Sequence, residues 1–174
     1  MKLRTLGILA VSCALAAIGS AATVTCDAPP SGGVPVSVIG LTVTCGGLTF
    51  SNFNVINSAN DPNPSIFLES ASFANGIAVL NFDPFLQVTA GNFQDVHLTF
   101  SVVGGINQID LGVGGSRASI AETACTGPYD GAGCTGSSLS QGVTVYSNTP
   151  NQPILSDGFA MTSPVYIFKD ILVD

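Results

Sequence analysis

The sequence predicts an all-β protein, an antiparallel β-sandwich of jelly-roll character with about eight to ten strands and two disulfides. Three observations carry that expectation. Short runs of alternating apolar and polar residues recur between clusters of Gly, Ser, Thr, Asn and Pro, the rhythm of strands and turns. No window holds a long helical period with caps at its ends. Of five cysteines, Cys13 falls in an apolar leader, which leaves Cys26, Cys45, Cys125 and Cys134, an even set suited to disulfides in an exported chain.

The leader comes first. Lys2 and Arg4 precede an apolar run from Leu6 to Ile18, followed by Gly19, Ser20, Ala21 and Ala22. That is the three-part pattern of a secretory signal peptide with cleavage expected after Ala22, and the run is shorter than the roughly 20 residues a membrane span needs. Removing 22 of the 174 residues leaves 152, enough for one domain, residues 23–174, with its own core. The four cysteines allow three connectivities. Cys26–Cys45 with Cys125–Cys134 is preferred, each bond closing a local loop. The alternative of a metal site lacks a C-x-x-C pair, and His97, the single histidine, is remote from the cysteines.

In LTFSNF, residues 48–53, Leu48 and Phe50 alternate as on a strand. NSANDPNPS, residues 57–65, is a loop, because Pro62 and Pro64 bar regular structure. IFLESASFA-NG-IAVLNF, residues 66–82, reads as a hairpin turning at Asn75-Gly76, although a strict register would set Glu69 against Phe82. VHLTFSVV-GG-INQIDLGV-GG-SRASIAET, residues 96–123, reads as a β-meander in which two Gly-Gly pairs turn three runs of equal length. Counting across the turns places Phe100 opposite Ile109, Leu98 opposite Leu111 and Val96 opposite Val113, with Ala118 and Ile120 continuing the face. Residues 126–140 form a loop. GVTVY, residues 142–146, and PVYIFKDILV, residues 164–173, close the set, and both faces of the last run are apolar, as on a central strand.

Charge excludes whole classes of partner. Loss of Lys2 and Arg4 leaves Arg117 and Lys169 against eleven carboxylates, a formal −9. Nucleic acid and anionic membrane surfaces both require clustered Lys and Arg, and no transmembrane helix is expected in the mature chain. Nucleophilic catalysis needs a base beside Ser or Cys, and Gly-Gly-Ser116-Arg117-Ala118 lacks the second glycine of a nucleophile elbow. The two glutamates, Glu69 and Glu122, have no spacing that joins them as glycosidase carboxylates. No catalytic residue is assigned, and a secreted hydrolase ranks last among the function classes.

Two binding candidates follow from the register. The polar face of the expected meander carries His97, Thr99, Asp110, Arg117 and Ser119, with Arg117 set diagonally to Asp110, a shelf able to hydrogen-bond a sugar or a small acid. Calcium is the one cofactor admitted, through Asp61, Asp83, Asp130 and Asp157 in Gly- or Pro-rich segments, with turn formation as the competing role of these aspartates. Lys169 is the odd residue of the last apolar run. Its stem can pack while the ammonium reaches water or a carboxylate.

CGGLTFSNF (45–53), QDVHLTFSVVGG (94–105) and SPVYIFKDI (163–171) give the chain a resemblance to bacterial secreted proteins of the PEP-CTERM type, which exosortase systems sort to the cell surface. In that family a further strand, a Pro-Glu-Pro motif, a membrane helix and a basic tail follow a strand like VYIFKDI. Here the sequence ends at Asp174, either short of such an extension or as a variant without one. The resemblance implies a secreted, surface-located protein. The expected function is therefore a structural or adhesive role at or outside the cell surface, with self-association or polysaccharide as partner, and a polysaccharide- or calcium-binding module as the alternative.

Overall fold

Alternating strands need a second layer to cover their apolar face, and the computed structural model supplies one. It describes residues 21–26, 35–59, 65–86, 88, 92–114, 117–140, 142–147 and 154–174. Most of the expected leader, Asp61 and Ser116 lie outside the described residues. Twelve strands are described: β1 (Thr23–Thr25), β2 (Val36–Ser37), β3 (Thr42–Cys45), β4 (Leu48–Ala59), β5 (Phe67–Ala74), β6 (Ile77–Asp83), β7 (Gln94–Val103), β8 (Ile106–Leu111), β9 (Ala118–Cys125), β10 (Val143–Tyr146), β11 (Leu155–Thr162) and β12 (Val165–Val173). The count exceeds expectation because β1 and β2 are only three and two residues long and because β11 was not foreseen as a strand.

The large sheet runs β1-β3-β4-β7-β12-β9-β10, and two small sheets, β11-β8 and β2-β5-β6, form the rest of the sandwich. Every described pairing is antiparallel except β1 with β3. One buried cluster joins residues of all three sheets, among them Leu98 and Ile167 of the large sheet, Leu68 of β5 and Ile109 of β8. At its centre Phe100 lies 5.1 Å from Phe53 and 6.1 Å from Phe82 between ring centroids, which ties β4 and β7 to β6 across the layers.

β12 is the central strand that its two-sided apolarity implied. It pairs with β7 from Val165↔Val102 to Val173↔Gln94 and with β9 from Tyr166↔Cys125 to Val173↔Ala118. Val165, Ile167 and Ile171 are buried on the inner face, while Tyr166, Phe168 and Asp170 are half-buried on the outer one. The cysteine pairs are Cys26–Cys45 and Cys125–Cys134, with Cα separations of 4.9 and 5.9 Å. Closing loops of this size stabilises a fold by about 3 kcal/mol each.

The meander is corrected. β7 bonds to β4 and β12, β8 to β11, and β9 to β12 and β10, so consecutive strands cross between layers and do not lie side by side. The inward residues are nevertheless the expected ones: Val96, Leu98, Phe100, Ile109 and Leu111 are all buried. Alternation sets which face a residue takes, and two strands that face each other across a core show the same alternation as two strands paired in one sheet. Gly104 sits at a sheet-to-sheet crossing with φ of 119°, where an added Cβ would lie 2.5 Å from the Gly47 carbonyl oxygen. Close approach, together with positive φ, explains that glycine.

The Asn75-Gly76 hairpin forms, with φ of 53° and 82° at the turn. A register shift between Leu68 and Ser70 makes Glu69 the bulged residue and pairs Phe82 with Leu68. Glu69 is thereby exposed, which removes the mismatch of a strict register. Lys169 finds its carboxylate inside the sandwich: its Nζ is 2.8 Å from Glu122 Oε1, with side-chain exposures of 12% and 5%.

Candidate functional site

The outer face of the large sheet is built from the out-pointing residues of β4, β7, β12 and β9. On β7 these are Asp95, His97, Thr99 and Ser101, because Val96, Leu98, Phe100 and Val102 point inward. β12 sets Asp170 directly opposite His97, Phe168 opposite Thr99, and Tyr166 opposite Ser101. On β4 a register shift between Ser51 and Asn54 leaves Asn52 with φ of 58° and lets its amide nitrogen donate to Ser101 Oγ at 2.9 Å.

Residues 126–140 fold back over this face. Cys125–Cys134 ties the loop at its base. Backbone hydrogen bonds from Thr126 to Ser137 and from Thr135 to Pro128, at 3.0 and 2.9 Å, keep it narrow. The Asp130 carboxylate accepts from the Ala132 and Gly133 amides at 2.9 and 3.1 Å and so holds its tip. The loop lays Tyr129 flat on Phe168, with centroids 3.9 Å apart and planes 12° apart. His97 meets Phe168 edge-on at 4.9 Å and Tyr129 at 6.3 Å. Beside this aromatic group lies a cleft of about 270 Å³ whose polar lining is Asn52, Thr99, Ser101, Tyr129 and Tyr166.

Next to the cleft, His97 Nε2 lies 3.8 Å from Asp95 Oδ1 and 3.7 Å from Asp170 Oδ1. Among the described residues, these three form the one group of potential metal ligands with atoms within 4.8 Å of one another. The Asp170 carboxyl is held above its ordinary value, first by burial and then by a hydrogen bond with Asp95 and that group's charge, while His97 pulls it the other way.

The expected shelf is divided. His97 and Thr99 remain together on the outer face, and Ser119 lies on it two strands away, in a row with Leu172 and Asp95. Arg117 stands at the end of β9 and pairs with Asp174 at 3.7 Å. Asp110 is on β8 in the other layer, where it accepts from Gln108 at 2.6 Å, so the diagonal with Arg117 is not formed. The aspartates assigned to calcium are also dispersed: Asp83 ends β6 and accepts from the Phe85 amide at 2.8 Å, Asp130 holds the loop tip, and Asp157 belongs to β11. Sequence reasoning passed over Asp95, Asp170, Tyr129, Tyr166 and Phe168. The spacing Asp95-x-His97 on an alternating strand was the available signal, since residues i and i+2 share a face. Nothing local showed where the 126–140 loop would fold.

Comparison with protein families, with characterised proteins and with solved structures gives no match. The two disulfides fit an oxidising environment. No helix among the described residues is long and apolar enough to cross a membrane.

Proposed function

We propose that the protein is a secreted β-sandwich that acts at or outside the cell surface in an adhesive role, by binding a neutral polysaccharide on the outer face of its large sheet. The observation that carries this reading is the cleft beside the Tyr129–Phe168 stack. Its polar lining consists of four hydroxyls and one carboxamide without a charged group, and an aromatic platform adjoins it. A sugar ring asks for that combination of an apolar face to stack on and neutral groups to hydrogen-bond. The acidic balance of the chain argues against anionic glycans. The apolar leader, the disulfides and the resemblance to exosortase-sorted surface proteins support export.

The test is thermal unfolding of the oxidised protein with a panel of neutral and acidic cell-surface polysaccharides. A ligand at about 100 times its dissociation constant adds roughly 2.7 kcal/mol, a rise of several degrees in the midpoint for a domain of this size. A rise with a neutral glycan that is lost in Tyr129→Ala supports the reading, and no rise across the panel rejects it. Self-association is the second reading. β6 lies at the end of its sheet and exposes Ile77 and Val79, the kind of edge that pairs with another chain. A sedimentation coefficient independent of concentration would remove it.

A further inference from the structure

We propose that Asp95, His97 and Asp170 form a binding site for a divalent metal ion of the zinc type, a reading separate from glycan binding in the neighbouring cleft. The strand register builds the site. Asp95 and His97 are two apart on β7 and so share a face, and Asp170 stands directly across from His97 on β12. Both neighbours belong to the interior of the large sheet, a more rigid support than a loop.

The donor distances suit a small ion. Zinc held at about 2.0–2.2 Å from nitrogen and oxygen puts tetrahedral ligands roughly 3.4 Å apart. The His97 Nε2 to carboxylate separations of 3.7 and 3.8 Å are within about 0.4 Å of that spacing, a closure that side-chain rotation provides. The fourth position falls to water or to a ligand oxygen, as in zinc sites with three protein ligands. An imidazole among the donors favours zinc-type metals, whereas calcium takes six to eight oxygens.

Zinc chloride titrated calorimetrically into the oxidised protein tests the site. One ion per chain is expected, with affinity reduced at least tenfold in His97→Gln and in Asp170→Asn, and unchanged in Asp83→Asn, which lies in a small sheet of the other layer. Far-UV circular dichroism establishes that each variant is folded, and Asp95→Asn replaces whichever fails. Absence of stoichiometric zinc binding by the folded protein, or unchanged affinity in any of the folded ligand variants, overturns the proposal.

Discussion

Lys169 and Asp170 are consecutive residues of one strand, yet their charges go to opposite faces of the sheet and meet opposite fates. Inward, Lys169 closes on Glu122 at 2.8 Å with both side chains nearly sealed from solvent, one charge against one. Outward, Asp170 joins Asp95 around a single imidazole and stays 45% exposed, two acids against one weak base. A buried pair balanced within the fold is part of the architecture. A cluster of potential metal ligands on the outer face stands where something from outside can reach it.

The inner pair gives the largest expected effect. Lys169→Met leaves Glu122 as a buried carboxylate without its cation, and Glu122 Oε2 already has no hydrogen-bond partner among the described residues. Urea unfolding should show a loss of about 3–5 kcal/mol, and the double variant Glu122→Leu with Lys169→Met should recover most of it, because two apolar side chains avoid the desolvation of both ions. A double variant as unstable as the single one would mean that the pair does more than balance itself.

A smaller effect separates the two parts of the outer face. Replacing Cys125 and Cys134 together by Ser should cost about 2–3 kcal/mol by releasing a loop closed over a sequence separation of 9. It should abolish the glycan-dependent rise in melting temperature, because Tyr129 is carried by that loop. Zinc affinity should persist, because Asp95, His97 and Asp170 stand on strands. Joint loss of both ligands in a folded variant would show that the loop supports the metal site too. The smallest effect belongs to Arg117→Ala. Its pair with Asp174 is about two-thirds exposed on each side, so stability should change by less than about 1 kcal/mol, with glycan and zinc binding untouched.

The features legible in the sequence are those set by local rules. Alternation assigned Leu98 and Ile109 to the core whatever their strand partners. Loop length selected the two disulfides, and the apolar faces of Val165–Val173 placed that strand inside a sheet. Partner choice is not local. Gly104-Gly105 fits a hairpin and a crossing between layers equally well by pattern, and the outcome depends on β12, some sixty residues later, entering between β7 and β9. Asp110 was assigned to the wrong layer for that reason, and Asp170 was overlooked for the same one: its proximity to His97 exists only in the β7–β12 register. The stretch LSDGFAMT, with Gly158 in its middle, has too weak an alternation to announce β11, which pairing with β8 creates. Tertiary pairing overrides weak local preference.

Metal binding on the outer face of the large sheet can be read from one side chain, since the chain contains a single histidine. Nitrogen NMR of the protein labelled in its histidine ring would follow Nε2 and Nδ1 as zinc is added. A stoichiometric shift is expected at Nε2, the nitrogen facing the two carboxylates, and in Asp170→Asn the same shift should require at least tenfold more zinc. A ring spectrum unchanged by zinc, or an Nε2 shift with the same zinc dependence in Asp170→Asn, would overturn the metal site.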